Sequence, residues 1–133
     1  MKKRILYVED NPNNMLLVKR ILRAEGHEML EAADGESGWD MALREHPDLI
    51  LVDLRLPGEI DGFELIRRIK ANPELSWIPL VVLTAYGSLE AEKEAEAAGC
   101  DGFLHKPAPI QQIQAVLRQF LGAPRDAGTY HYV

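Results

Sequence analysis

Leu49-Ile50-Leu51-Val52, set between Asp48 and Asp53, is apolar at every position rather than at alternate ones. Leu80-Val81-Val82-Leu83, which follows Pro79, has the same character. Runs this short and uniform fit strands covered on both faces, the situation of central strands in a parallel sheet. Outward from them lie three more candidate strands, Ile5–Val8, Glu28–Ala32 and Gly102–Leu104, and the five runs alternate with five segments of helical period. That alternation predicts an α/β protein with a doubly wound, five-stranded parallel sheet and five helices. Right-handed crossovers set the first and third strands side by side, in the order 2-1-3-4-5. Glu28-Met29-Leu30-Glu31-Ala32 mixes acids with apolar residues, which predicts an edge position.

The first helix is expected to start near Asn13 or Asn14, since asparagine accepts hydrogen bonds from free N–H groups. It should bury Met15, Leu16, Val18, Ile21 and Leu22, and Gly26 stops it. A second helix over about residues 35–45 turns Trp39, Met41, Ala42 and Leu43 mostly inward and ends at His46-Pro47. A third, near 62–71, carries Phe63, Leu65, Ile66 and Ile69 at helical spacing, and a fifth, near 110–121, buries Ile113, Val116, Leu117 and Phe120. The fourth, Ser88–Ala98, is mostly alanine and charge, so weak anchoring is expected. Either high helix propensity on a solvated face accounts for it, or the helix is free to shift when a nearby site changes state. Residues 1–121 read as one domain, and 122–133, with Tyr130-His131-Tyr132 but no periodicity, reads as a flexible tail.

A chain of 133 residues suits one globular domain, and 47% hydrophobic with 27% charged residues is the balance of a folded, water-soluble protein. The formal net charge of -6 argues against direct binding to nucleic acid or anionic lipid. No apolar run approaches the roughly 20 residues that span a bilayer. Met1-Lys2-Lys3-Arg4 leads only into Ile5–Val8, so a cytoplasmic location is expected. The single cysteine, Cys100, excludes an internal disulfide and a cysteine-based zinc site, while His27, His46, His105 and His131 lack ligand spacing. Nucleotide-binding glycine motifs are absent, and an EF-hand pattern from Asp10 breaks at Pro12, Met15 and Ile21.

In an open parallel sheet, ligands bind outside the carboxyl ends of the strands, where strand order reverses. Glu9 and Asp10 follow the first strand directly and Asp53 follows the third, so three carboxylates are expected in one crevice. Crowded carboxylates repel one another unless a cation intervenes. Mg²⁺, or Mn²⁺ in its place, takes oxygen ligands and keeps several waters. Asp10 and Asp53 are the expected direct ligands, with Glu9 acting through water and the backbone carbonyl of Arg55 completing the protein's share. Thr84 ends the fourth strand and Lys106 follows the fifth, bringing a hydroxyl and an ammonium to the same rim. A carboxylate nucleophile, a metal, a hydroxyl donor and a fixed cation are what phosphoryl transfer requires. Singly, the acids read as turn or cap residues, Thr84 as a cap and Lys106 as a surface lysine; their joint placement at four of five strand ends argues for a site. Lys106-Pro107 is an X-Pro bond, the one kind that adopts cis at low cost.

The motifs Val8-Glu9-Asp10-Asn11-Pro12-Asn13-Asn14, Leu49 to Gly58 around Asp53, Val81-Val82-Leu83-Thr84-Ala85 and Gly102-Phe103-Leu104-His105-Lys106-Pro107 together resemble the response-regulator receivers of two-component signalling. The resemblance covers residues 3–121 and is to the stand-alone, chemotaxis-regulator-like form. It implies a flavodoxin-like fold, with Glu9 and Asp10 as the metal-binding acidic pair and Asp53 as the phosphorylated aspartate. It further implies Thr84 as the switch hydroxyl, Lys106 as the phosphate-binding lysine and Phe103 as an aromatic that rotates inward on activation. The implied donor is a histidine kinase or a histidine phosphotransfer protein. The implied output is phosphorylation-dependent binding of a target protein to the face of the fourth helix, fifth strand and fifth helix. No enzymatic activity beyond the chain's own phosphorylation and dephosphorylation is implied, and a monomer or weak homodimer fits.

Departures from the family pattern stand out. Pro57 to Gly62 is one residue longer than the common loop. Arg55 and Tyr86 hold the positions two residues after Asp53 and Thr84, where the family tunes phosphate lifetime; a cation and a large ring there are expected to hinder water and slow self-dephosphorylation. Two other readings stay open. A pseudo-receiver adaptor would act unphosphorylated, although such proteins usually lack part of the acid, threonine and lysine set. A haloacid-dehalogenase-like phosphatase would need a second Asp where Arg55 stands, and a nucleophile on the first strand.

Overall fold

The structure, a computed structural model, describes residues 2–122. Five parallel strands lie in the order β2-β1-β3-β4-β5, as the sequence predicts. They are β1 (Arg4–Val8), β2 (Glu28–Ala32), β3 (Leu49–Val52), β4 (Leu80–Thr84) and β5 (Gly102–His105). The helices are α1 (Pro12–Ala24), α2 (Gly35–Glu45), α3 (Gly62–Ala71), α4 (Leu89–Ala98) and α5 (Ile110–Leu121). The expected tail lies outside the described residues apart from Gly122.

Side chains alternate across a strand, so each central strand feeds two cores. Leu6, Val8, Ile50, Val52, Leu80 and Val82 pack with Ala42, Leu65, Ile66, Ile69, Ala91 and Ala95 of α2, α3 and α4. Ile5, Tyr7, Leu49, Leu51, Val81 and Leu83 pack with Met15, Val18, Ile21 and Leu22 of α1 and with Ile113, Val116 and Leu117 of α5. Both faces of β1, β3 and β4 are covered, which is why their runs are apolar throughout. Edge strand β2 leaves Glu28 and Glu31 exposed.

Three details of the helices differ from expectation. Asn11, not Asn13 or Asn14, caps α1: its Oδ1 accepts the N–H groups of Asn13 and Asn14 at 2.8 and 3.0 Å. Pro12 takes the first helical position, where its missing N–H costs nothing and its fixed φ suits the turn. Leu16 is 45% exposed. A helix advances about 100° per residue, so the consecutive residues Met15 to Val18 cannot all face the sheet, and Met15 and Val18 do. Phe120 is only partly buried, at the margin of the α1–α5 core.

The remaining helices follow their sequence signals. Asp34 caps α2 through a capping box with Ser37, and His46 closes it in the left-handed region at φ 45°. α4 starts at a Ser88 cap and buries only Ala91 and Ala95, so its anchoring is as slight as its composition predicts. The loop Pro57 to Gly62 is held against α2: Glu59 N–H donates to Glu36 Oε2 at 3.2 Å, and Ile60 packs over Gly35, where a Cβ would strike its carbonyl. The Lys106-Pro107 peptide bond is cis.

Candidate functional site

Parallel strands all end on the same side, so the residues that follow β1, β3, β4 and β5 meet at one rim. Asp53 comes directly after β3, and its N–H donates to Val8 O at 3.0 Å, fixing it to the end of β1. Behind it, Gly62 begins α3 pressed against the chain: a Cβ there would collide with the Asp53 carbonyl oxygen and Leu54 Cα. Only glycine lets the helix approach the aspartate so closely.

Asp53 as a residue is 7% exposed, and its carboxylate is fully engaged. Oδ1 accepts the Thr84 hydroxyl at 2.6 Å and the Arg55 N–H at 3.3 Å, while Oδ2 accepts Lys106 Nζ at 3.2 Å. Glu9 is 2% exposed; its Oε1 accepts the Tyr7 hydroxyl at 2.9 Å and also Lys106 Nζ, and its Oε2 accepts the Asn11 N–H at 3.1 Å. Asp10 is exposed at the mouth. One carboxylate oxygen from each of Glu9, Asp10 and Asp53 lies within 4.8 Å of the others. The structure thus brings together all five polar side chains that the sequence singled out. The burial of Glu9 and Asp53 is tolerable because the ammonium divides itself between their two carboxylates and every remaining acceptor on them has a donor.

Tyr7 was not among the residues singled out. Its signal was positional: it lies two residues before Glu9, on the same side of a strand whose side chains alternate. Burial, the charge of Glu9, their hydrogen bond and the charge of Asp53 all push its hydroxyl far above the usual tyrosine range. It therefore stays a neutral donor.

Around this cluster sit the residues expected to tune or relay it. The Arg55 guanidinium lies 4.2 Å from the Tyr86 ring centroid, so a cation–π stack joins the loops that follow β3 and β4. The Tyr86 N–H donates to Thr84 Oγ1 at 3.1 Å, tying that loop to the hydroxyl that holds Asp53. Phe103 is half-buried against the α2–α3–α4 core and tilted at 56° to His105, with ring centroids 5.0 Å apart. It does not join the polar cluster. His105 Nε2 in turn lies 3.8 Å from Glu92 of α4, and its ring fills the space that a Cβ on Gly87 would need.

Three hard carboxylate oxygens, one of them on solvent-exposed Asp10, suit a divalent cation that keeps part of its water shell. Lys106 offsets one of three negative charges, leaving the cluster short of positive charge.

A buried aspartate held by a hydroxyl and an ammonium, at the switch point of a five-stranded doubly wound sheet, defines the receiver class of α/β signalling domains. The chain belongs to the response regulator receiver domain family, whose sequence profile it matches over residues 5–118. It is 34% identical over 122 residues to the polar-differentiation response regulator DivK of Brucella ovis, a match spanning 92% of this chain and 98% of that one. The receiver domain of a Pseudomonas aeruginosa sensor histidine kinase, crystallised with magnesium coordinated in its active-site cleft, aligns with a TM-score of 0.84 at 32% identity, covering 92% of this chain and 100% of its own. The Mn²⁺-bound form of the response regulator Rcp1 aligns with a TM-score of 0.79 at 30% identity, covering 92% and 96%. Family membership sets aside the phosphatase alternative. No helix among the described residues is long and apolar enough to cross a membrane.

Proposed function

We propose that this protein is a DivK-like response regulator that accepts a phosphoryl group on Asp53 from a histidine kinase or histidine phosphotransfer protein and signals by phosphorylation-dependent binding to a target protein. The observation that carries this reading is the Asp53 carboxylate itself, held at once by Thr84 and Lys106 with two further acids beside it. An Asp53 oxygen attacks phosphorus in line: an O–P bond forms, the P–N bond of phosphohistidine breaks, and its electron pair stays on the imidazole nitrogen. Asp10, Asp53 and the Arg55 carbonyl would hold Mg²⁺ or Mn²⁺ directly. Glu9 would act through water, because both of its oxygens are already engaged by Tyr7, Lys106 and Asn11. The metal supplies positive charge to the phosphoryl oxygens.

Lys106 and Thr84 already bond to Asp53 and can pass to the new oxygens. Thr84 then draws the loop after β4 through the Tyr86 N–H, Phe103 fills the space vacated, and α4, anchored by two alanines, shifts at low cost. The target reads the face of α4, β5 and α5. Arg55 and Tyr86, stacked, impede water and lengthen the phosphate's life. The protein catalyses only its own phosphorylation and dephosphorylation, and acts in the cytoplasm as a monomer or weak homodimer without contacting nucleic acid or membrane. Likeness to DivK and to a magnesium-bound receiver supports the reading.

The test is incubation with Mg²⁺ and acetyl phosphate, read by intact mass, for wild type and Asp53→Asn. A phosphoryl adduct on wild type alone is expected. Equal labelling of the variant moves the acceptor elsewhere, and an unlabelled wild type favours the pseudo-receiver adaptor.

A further inference from the structure

Tyr7 is fully buried in the apolar face shared with α1 and α5, yet its hydroxyl reaches the cleft. It donates to Glu9 Oε1, the oxygen that also receives Lys106 Nζ. If Asp53 is the phosphoacceptor, the lysine cannot stay where it is. A phosphoryl group on Asp53 brings new anionic oxygens beside the Nζ that now lies 3.2 Å from Oδ2, and the ammonium turns toward them. A cavity of about 320 Å³, lined in part by Tyr7, Asn14, Lys106 and Pro107, adjoins the lysine. The cost falls on Glu9. At 2% exposure it cannot exchange a lost ammonium for bulk water, and a buried carboxylate stripped of a partner is expensive.

We propose that Tyr7 is a positioning residue whose hydroxyl keeps Glu9 Oε1 satisfied when Lys106 leaves it, so that the lysine is released to the phosphoryl group at small cost. The inference rests on the phosphoacceptor reading of Asp53 and concerns a residue that neither contacts that aspartate nor belongs to the metal's ligands. A hydrophobic residue at this position would fill the core equally well; the oxygen is what the cleft uses.

The experiment measures two separate affinities by calorimetry for wild type and Tyr7→Phe: Mg²⁺ alone, and beryllofluoride, a phosphoryl mimic, at saturating Mg²⁺. Phenylalanine keeps the ring and removes only the hydroxyl. One charge-assisted hydrogen bond corresponds to about a tenfold change in affinity. Beryllofluoride affinity should therefore fall about tenfold, while Mg²⁺ affinity, measured with Lys106 still on Glu9, should change less than about twofold. In a Glu9→Gln background the side chain carries no charge to compensate, so adding Tyr7→Phe should shift beryllofluoride affinity by less than about twofold. Equal losses in both affinities, or a tenfold loss that persists with Glu9→Gln, would reduce Tyr7 to core packing. No loss at all would overturn the proposal while leaving Asp53 as acceptor, whereas failure of wild type to bind beryllofluoride would overturn the reading beneath it.

Discussion

Replacing Lys106 with methionine keeps most of the apolar stem and removes the ammonium shared by Glu9 and Asp53. The three groups are well shielded, with side-chain exposures of 14% for Lys106, 1% for Glu9 and 10% for Asp53. At an effective dielectric of about 20, unit charges at the 3.2 Å of the Lys106–Asp53 contact attract by about 5 kcal/mol. Carboxylate oxygens up to 4.8 Å apart then repel by about 3.5 kcal/mol or more, with nothing between them. Relief from burying the ammonium offsets part of this, so the expected net loss is about 3–5 kcal/mol without divalent metal. That corresponds to a fall of roughly 10 °C or more in Tm for a chain of this size. A divalent cation replaces the missing charge, and saturating Mg²⁺ should restore at least about half of the loss. The assay is urea unfolding at neutral pH followed by circular dichroism, in EDTA and in MgCl₂. A variant as stable as wild type in EDTA, or one that gains no more from Mg²⁺ than wild type does, would refute the electrostatic account of the cleft.

Tyr86→Ala removes the ring under the Arg55 guanidinium; an exposed cation–π contact is worth about 0.5–1 kcal/mol, so loss of phosphate from labelled protein should accelerate about two- to fivefold. An unchanged half-life of the adduct would show that the stack does not screen water. His27 lies below the usual histidine range, mainly because burial disfavours its cation, and its Nδ1 accepts the Lys3 N–H at 3.2 Å. The unfolded chain therefore binds the extra proton first, and stability should decline as pH falls below about 6.5 toward the lower folded value. His27→Gln should flatten that part of the stability–pH curve; a curve of unchanged slope would place its origin in another group.

The sequence by itself determined the sheet and its rim. Uniformly apolar runs at Leu49–Val52 and Leu80–Leu83 mark strands buried on both faces, and alternation with helical segments leaves few topologies open. Once the strands are parallel, residues next to their carboxyl ends share one edge, which is why Glu9, Asp10, Asp53, Thr84 and Lys106 were legible without coordinates. These signals are local or follow from chain direction. The start of α1 was local too, but Asn11-Pro12 competed with Asn13 and Asn14, and only the geometry of the first turn selects the cap. Which of the consecutive apolar residues from Met15 to Val18 face inward depended on how α1 rests on the sheet. Tertiary structure alone decided the pairings: Lys106 shared between Glu9 and Asp53, Tyr7 beneath Glu9, Arg55 stacked on Tyr86. Such contacts depend on side-chain direction and distances of a few ångströms between residues far apart in the chain, and no periodicity in a sequence records them.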